Sequence, residues 1–530
     1  MGNAQPARPC VEACREDKPG PCGMVIFGAS GDLTRKKILP ALFSLFRRDL
    51  LPDRFFLLGC GRTEMSDDAF RGEIRTALGA RWQEADETMR EQFAQRCGYL
   101  RGDYDDPALY RSLAARLAAL SKEQDTAGNL LFYLSTPPNL YVPIVDRLGA
   151  AGLTREASQG MPWVRIIFEK PFGLDLDSAR DLDRRIHGVL QERQIYRIDH
   201  YLGKETVQNF LMFRFANSIF EPVWNRQYID HVQITVAEAG GVEKRAGYYE
   251  QAGVIPDMFQ NHMLQVLALI AMEPPTSFDA AVLQNEKCKL LQSIRPFPPE
   301  LDRAVVRGQY GPGRVDGREV PAYRQEPKVN PESNVATFCA MKLLVDNWRW
   351  HDVPFYLRCG KRLPRRISEV AIVFKKAPHS IFSPADPQML EPNVLTLNIQ
   401  PEECFSLTVQ AKRPGPKMCT APMNMDFCYR QFFGADLPEA YERLLMDAML
   451  GDQTLYIRSD VMEASWEIFQ PLLAAWKAEP RPPALYAAGS WGPAAAGELL
   501  SADGRAWRDL DANAFDRLCD YHCPGCRAKK

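Results

Sequence analysis

The stretch Met24-Val25-Ile26-Phe27 is a short apolar run, and it breaks directly into Gly28-Ala29-Ser30-Gly31-Asp32-Leu33-Thr34. That succession restricts the possible folds more than any other part of the chain. The run has the length and character of a strand buried on both faces. Beyond the glycine turn, Arg35-Lys36-Lys37 leads into Leu39, Leu42, Leu45 and Phe46, a helical pattern. Strand, glycine turn and helix form the context that a dinucleotide fingerprint requires. The glycines permit the tight turn and let a pyrophosphate approach the helix N-terminus closely. The spacing departs from G-x-G-x-x-G, so a glycine turn that serves packing alone would satisfy the same letters.

Further strands repeat the arrangement. Phe55-Phe56-Leu57-Leu58 ends in Gly59-Cys60-Gly61-Arg62-Thr63. An enzyme that uses NAD places an acid here for the ribose 2′-hydroxyl, whereas a guanidinium suits a 2′-phosphate. Arg62, with Arg35, Lys36 and Lys37, therefore favours NADP over NAD. Residues 64–125 read as helices with polar faces. Asn129 to Leu134 runs into Ser135-Thr136-Pro137-Pro138, and Val164 to Phe168 into Glu169-Lys170-Pro171-Phe172-Gly173. In an open parallel sheet, ligands bind beyond the carboxyl ends of the strands. Lys170, in a Lys-Pro step directly after a buried strand, is poorly placed for a mere surface lysine.

After Phe210 the pattern changes. Residues 229–238 alternate like a strand of a half-covered sheet. Asp257 opens a helix that continues through Leu267, Leu269, Ile270 and Met272, with Asp257, Asn261, His262 and Gln265 forming a polar stripe on it. A lone histidine on an apolar helix is more often a satisfied core residue than a catalyst, but an acid one turn away favours chemistry. Segments 335–345, 370–375, 393–400 and 405–412 read as strands of an antiparallel sheet. Between two of them, residues 358–366 read as a basic loop that is either solvated surface or a lid over a sugar phosphate. Residues 436–473 read as helical, and those from about 478 on as a Pro-, Ala- and Gly-rich wrap over the surface.

A chain of 530 residues forms about two or three domains. A net charge of -2 gives no general field for a polyanion, which argues against a nucleic-acid partner. No apolar run approaches the ~18 residues that cross a bilayer, and the N-terminus has no apolar h-region. Membrane and secretory readings fall away, and a reducing, cytoplasmic setting is expected. In that setting Cys60, Cys97, Cys288, Cys339, Cys359 and Cys404 read as ordinary buried or half-buried thiols. Cys10, Cys14 and Cys22 cluster at one end, and Cys519, His522, Cys523 and Cys526 at the other. The latter spacing is too compressed for a standard zinc ribbon, so no metal site is expected.

The densest chemistry lies in Arg197-Ile198-Asp199-His200-Tyr201-Leu202-Gly203-Lys204-Glu205. His200, Tyr201 and Lys204 are donors suited to a phosphate dianion, and Asp199, an acceptor, suits the orientation of a histidine. In isolation such a nine-mer would pass for a polar turn. Together with Gly28 to Leu33, Glu169 to Gly173, Asp257 to His262 and Arg358-Cys359-Gly360-Lys361, it resembles the glucose-6-phosphate dehydrogenase family over roughly residues 22–500. The nine-residue signature is highly specific to that family.

The resemblance implies an α/β plus α+β architecture. A Rossmann-type parallel-sheet domain, residues 22–198, would precede a larger domain, residues 199–505, with a mostly antiparallel sheet packed on helices. Residues 1–21 would be a flexible extension and 506–530 a Cys-rich tail. It also implies oxidation of glucose 6-phosphate at C1 to the 1,5-lactone, with reduction of NADP, by a homodimer or homotetramer. His262 would be the general base and Asp199 its partner, with Lys170 between substrate and cofactor. His200, Tyr201 and Lys204 would hold the phosphate. Glu238, Asp257, Lys361, Arg366 and Gln400 would line the sugar site. Gly28, Ala29, Ser30, Gly31, Asp32, Leu33, Thr34, Arg35, Arg62, Tyr141 and Lys170 would face the cofactor. One departure stands out. Ile367 to Ile372, with Asn398 and Ser406, lacks the basic set by which some animal members hold a second NADP, although Arg358 is kept. A non-catalytic NADP or hexose-phosphate sensor would not need His262 and Asp199 together, and a scaffold protein would need no chemistry at strand ends. An enzyme using NAD or free glucose is a nearer rival.

Overall fold

The computed structural model describes residues 17–82, 87–156, 161–379, 390–416, 420–434, 438–478 and 481–510. The terminal cysteines other than Cys22 lie outside these residues, as do most of the two expected terminal extensions. The chain divides into two units. The first comprises the residues up to Lys170, Leu182–Ile198 and Glu439–Ile457. The second comprises Pro171–Asp181, Asp199–Pro438 and the residues from Arg458 onward. One crossing falls between Ile198 and Asp199, and Glu439–Ile457 lies in the first unit.

The first unit is built on β1 (Cys22–Phe27), β2 (Phe55–Gly61), β3 (Cys97–Arg101), β4 (Leu130–Leu134), β5 (Val164–Phe168) and β6 (Ile195–Ile198). Their order is 3-2-1-4-5-6, all parallel, with the antiparallel pair of residues Tyr456–Ile457 added beside β6. Every residue of β1, β2 and β4 is buried. This is why these strands appear in the sequence as continuous apolar runs. β3 and Tyr456–Ile457 correct two expectations, since both lie in stretches read as helical. β3 contains no β-branched residue, and each pairs with a single neighbour at a sheet edge, so neither carries an apolar strand pattern.

The second unit contains β7 (Ile229–Ala237), β8 (Val305–Gly311), a small ribbon of β9 (Gly313–Val315) and β10 (Arg318–Val320), β11 (Phe338–Leu343), β12 (Phe355–Gly360), β13 (Ile367–Phe374), β14 (Val394–Gln400), β15 (Cys404–Lys412) and β16 (Thr420–Cys428). The large sheet runs 16-15-14-13-7-12-11-8 and ends on the strand Ala484–Ala487. It is antiparallel except where β7 meets β12 and where Ala484–Ala487 meets β8. The C-terminal stretch expected to wrap the surface thus completes the sheet, and Tyr486 is buried in it.

Arg358, Cys359 and Gly360 belong to β12, not to a loop. Arg358 is buried, with its guanidinium 5.1 Å from the Trp491 ring and 4.4 Å from the Trp507 ring. Cys404 is disulfide-bonded to Cys428 and is not a free thiol. The two residues face each other across β15 and β16 at a Cα separation of 4.1 Å, a proximity that only the strand register creates. Among the described residues, no helix is long and apolar enough to cross a membrane.

Candidate active site

In the first unit, β1 has β2 on one side and β4 on the other, so successive connections diverge from its carboxyl end and leave a crevice there. The glycine turn occupies that end. Gly28 has φ 84°, and a Cβ on it would run into the Ser135 carbonyl. Its amide donates to the Tyr104 hydroxyl at 2.9 Å, and that hydroxyl donates to the Cys60 carbonyl at 3.3 Å. Thr34 is buried and donates to the Gly28 carbonyl at 3.1 Å, so it braces the turn. Gly31 closes the turn onto the Gly28 carbonyl at 2.9 Å, with Ala29 buried and Leu33 half-buried.

Ser30 Oγ lies 3.1 Å from Thr63 Oγ1, which ties the turn to the segment carrying the exposed Arg62. Arg35 pairs with Glu73 and Asp32 with Lys36, each at 2.8 Å on the surface. Tyr141 is wholly buried, and its hydroxyl donates to the Glu169 carbonyl at 2.7 Å. It therefore holds the backbone step before Lys170, which is half-buried beyond β5. Burial raises the Glu169 carboxyl above its ordinary value, and the Tyr133 and Tyr441 hydroxyls that donate to it work in the opposite direction. Arg197, the first residue of the signature, is a structural ion. It is buried and pairs with Asp183 at 2.5 Å and Glu192 at 2.7 Å.

In the second unit, Ile255–Met263 forms a wide π-helical segment that passes into the α-helix Leu264–Ala271. All nine residues of the segment are buried, and such widened turns recur at functional sites. His262 is 1% exposed, and its Nδ1 is hydrogen-bonded to Asp199 Oδ1. Asn261 fixes the backbone here, accepting from the His262 amide at 2.6 Å and donating to the Pro256 carbonyl at 2.9 Å. Asp199 Oδ1 also accepts from the Tyr201 amide at 2.9 Å. Burial pushes the Asp199 carboxyl up. The His262 charge and hydrogen bond, the His200 charge and the Tyr201 amide outweigh it and bring it down to about 2. The Tyr201 ring stacks on the imidazole at 4.4 Å, and the His200 ring meets it edge-on at 4.5 Å.

Strand register assembles the remaining groups. β7 and β12 run parallel and end together at Ala237 and Gly360, so Glu238 and Lys361 emerge side by side. Lys361 pairs with Glu238 and lies 3.4 Å from Asp257, whose other oxygen accepts from Arg245 at 3.0 Å. Burial disfavours the charge on Lys361, but Asp257 and Glu238 prevail and raise its pKa. β13 begins where β14 ends, which puts Ser368 opposite Gln400. Lys204 donates to Gln400 Oε1 at 3.0 Å, and Arg366, which is exposed, donates to the same oxygen at 3.1 Å. Two cations thus converge on one neutral acceptor, an arrangement suited to an anion. The Tyr201 hydroxyl is buried 3.2 Å from Ser368 Oγ. Asp199, His200 and His262 offer three donor atoms within 4.8 Å of one another, but the Asp199–His262 hydrogen bond uses two of the atoms a cation would need.

Of the sequence-derived residues in this unit, the structure gathers Asp199, His200, Tyr201 and His262 into one cluster. Lys204, Arg366 and Gln400 form a second, and Glu238, Asp257 and Lys361 a third. Sequence reasoning missed Ser368, Arg245 and, in the first unit, Tyr104. Ser368 carried no signal, because only strand register places it opposite Gln400. Arg245 follows Gly240-Gly241, and nothing in that stretch of sequence hints at Asp257.

A doubly wound dinucleotide domain, followed by a unit holding a carboxylate-bound imidazole beside clustered cations, defines a nicotinamide-dependent oxidoreductase. Residues 25–209 match the NAD binding domain of glucose-6-phosphate dehydrogenase, and residues 211–508 match its C-terminal domain. Glucose-6-phosphate 1-dehydrogenase of Chlamydia pneumoniae is 46% identical over 495 residues, covering 92% of this chain and 96% of that one. The Aggregatibacter actinomycetemcomitans enzyme of the same name is 47% identical over 488 residues, covering 92% and 97%. A solved glucose-6-phosphate dehydrogenase in complex with glucose-6-phosphate superposes with a TM-score of 0.85 at 33% identity, covering 94% of this chain and 100% of that one. The Mycobacterium avium glucose-6-phosphate 1-dehydrogenase gives a TM-score of 0.77 at 36% identity, covering 92% and 99%. The chain belongs to the glucose-6-phosphate dehydrogenase family. Like that family, it is an oxidoreductase that uses NADP.

Proposed function

We propose that His262, held by Asp199, is the general base with which this chain oxidises glucose 6-phosphate to 6-phosphoglucono-1,5-lactone. The observation that carries this reading is the buried hydrogen bond from His262 Nδ1 to Asp199. With Nδ1 committed, Nε2 is the nitrogen that accepts the proton. It takes the proton from the C1 hydroxyl as the C1 hydrogen leaves with its electron pair, as hydride. The C1–O bond becomes a carbonyl, and the proton stays on the imidazole. Asp199 stabilises the imidazolium that forms. A neutral imidazole can act as a base at physiological pH.

Lys204, Arg366 and His200 take the phosphate, with Tyr201 behind them as the stacked support of His262. Phosphate binding far from C1 supplies remote binding energy that orients the reacting end. Glu238, Asp257, Lys361 and Gln400 hold the sugar hydroxyls. The glycine turn from Gly28 to Thr34 cradles the NADP pyrophosphate, Arg62 and Arg35 favour its 2′-phosphate, and Lys170 borders the nicotinamide. NADP supplies the hydride acceptor. Substrate and cofactor are both retained inside cells, and the reading includes a cytoplasmic location. It also includes a homodimer or homotetramer built on the large sheet, where Met423 and Met425 of β16 are half exposed.

The test is reduced-nicotinamide absorbance with glucose 6-phosphate or glucose as substrate and NADP or NAD as acceptor. His262→Asn is expected to lower kcat by about 10²–10⁴-fold with KM little changed. Near-normal turnover would reject the base. Lys204→Ala is expected to raise KM for glucose 6-phosphate far more than for glucose, and an equal effect on both would remove its phosphate role.

A further inference from the structure

The second unit buries polar groups that the proposed reaction leaves unused. Lys287 is 0% exposed, and its Nζ has no hydrogen-bond partner. It lies on the helix Ala280–Gln292, which packs against the helix Leu264–Ala271 that continues from His262. Gln265, one turn after His262, is also wholly buried, and neither its Nε2 nor its Oε1 is bonded. The inner oxygen of Asp199, Oδ2, is unbonded as well. Buried polar atoms without partners are rare, and a buried ammonium without one is costly. Four such atoms on three adjoining segments are what an enclosed water needs, since it requires two to four polar partners.

We propose that Lys287 is a positioning residue for the catalytic pair: through enclosed water shared with Gln265, its ammonium holds Asp199 Oδ2, and so the His262 ring, in place. The inference rests on the reading of His262 as base. Lys and carboxylate are not in direct contact, so the link is a bridged one. Burial pulls the Lys287 ammonium down to about 8, and Asp199 is the charge that opposes this. The ammonium therefore remains largely protonated at neutral pH and senses Asp199 electrostatically.

The other charged groups around these elements have different partners. Asp460, Glu467 and Arg458 act on the neighbouring Cys288. Glu238, Lys361 and Asp257 form their own network, although Glu238 also acts on Tyr201. His200 faces Asp199 from the open side. A positive charge near Asp199 has two effects. It anchors the carboxylate, and it tempers the pull of that carboxylate on an imidazole proton, so that the base is not held protonated at neutral pH.

The test is the intact protein with Lys287→Met, an apolar chain of similar length, assayed beside wild type and His262→Asn. Lys287→Met is expected to lower kcat about tenfold, a fraction of the general-base contribution, and to leave KM for glucose 6-phosphate within about threefold. The acid limb of kcat/KM is expected to move to higher pH, and the melting temperature to stay level or rise, because a buried charge has been removed. A merely structural lysine would instead lower the melting temperature and leave the pH profile in place. If His262→Asn keeps its turnover, the base reading fails and takes this inference with it. If His262→Asn loses turnover while Lys287→Met matches wild type in kcat and pH profile, this inference alone is overturned. Should Lys287→Met not fold, a wild-type crystal structure that resolves ordered water decides: a water bonded to both Lys287 Nζ and Asp199 Oδ2 supports the link, and a dry gap overturns it.

Discussion

Gly28 shows how much can rest on a missing side chain. Its φ of 84° lies where an L-residue is strained by about 1–2 kcal/mol, and a Cβ would meet a backbone carbonyl that cannot move aside. Gly28→Ala is therefore expected to raise KM for NADP and to lower the melting temperature, with KM for glucose 6-phosphate little changed. Separate titrations of the two ligands check this. Tyr141 shows the opposite case. The resemblance sets it on the cofactor side, and its hydroxyl fixes the Glu169–Lys170 step. Lys204 and Arg366 lie 162 residues apart in the sequence and meet on the single oxygen of Gln400. No local pattern announces such a meeting.

At the scale of elements, the segment Ile255–Met263 places the proposed base. It is buried along its whole length, and Asn261 ties its start to its end by bonding both the Pro256 carbonyl and the His262 amide. Asn261→Ala would leave both backbone groups buried and unsatisfied, at a cost of about 1–3 kcal/mol each. The expected outcome is a lower urea midpoint together with a fall in kcat that exceeds any change in KM. A fall in stability with kcat unchanged would show that the segment holds His262 without its help.

Strands differ from this helix in how far they can be read from sequence. β1, β2, β4 and β5 are legible because burial on both faces writes them as apolar runs. β3 is not, because an edge strand of five residues with a glycine and an exposed arginine carries little pattern. The Cys404–Cys428 pairing was hidden for a related reason: sequence shows spacing along a strand, and register decides what lies across it.

For the whole molecule, the Asp199 carboxyl links stability to pH. Its folded value of about 2 lies below its ordinary 3.8. The unfolded chain thus binds that proton more readily, and stability rises with pH across this window. The contribution is fully present above about pH 4, is lost as pH falls through about 2, and amounts to about 2 kcal/mol. Glu169 and Glu442, raised by burial, act with the opposite sign above their ordinary 4.5, so wild type alone would not isolate the effect. The stability gap between wild type and Asp199→Asn is expected to narrow by about 2 kcal/mol as the medium is acidified through that window. Urea titrations at several pH values measure it, and a constant gap would remove the linkage.

The sequence by itself determined the parallel first sheet, its glycine turn, and the residues fit to be base, partner and phosphate ligands. Those properties are written locally, in hydrophobic runs, in backbone freedom and in side-chain chemistry. Only the tertiary structure decided that Arg358 is stacked inside the sheet, that Ser368 faces Gln400, that Glu439–Ile457 rejoins the first unit, and that Lys287 is wholly buried. Each of these depends on which strand pairs with which and on what burial removes from water, and neither is encoded in the order of neighbouring residues.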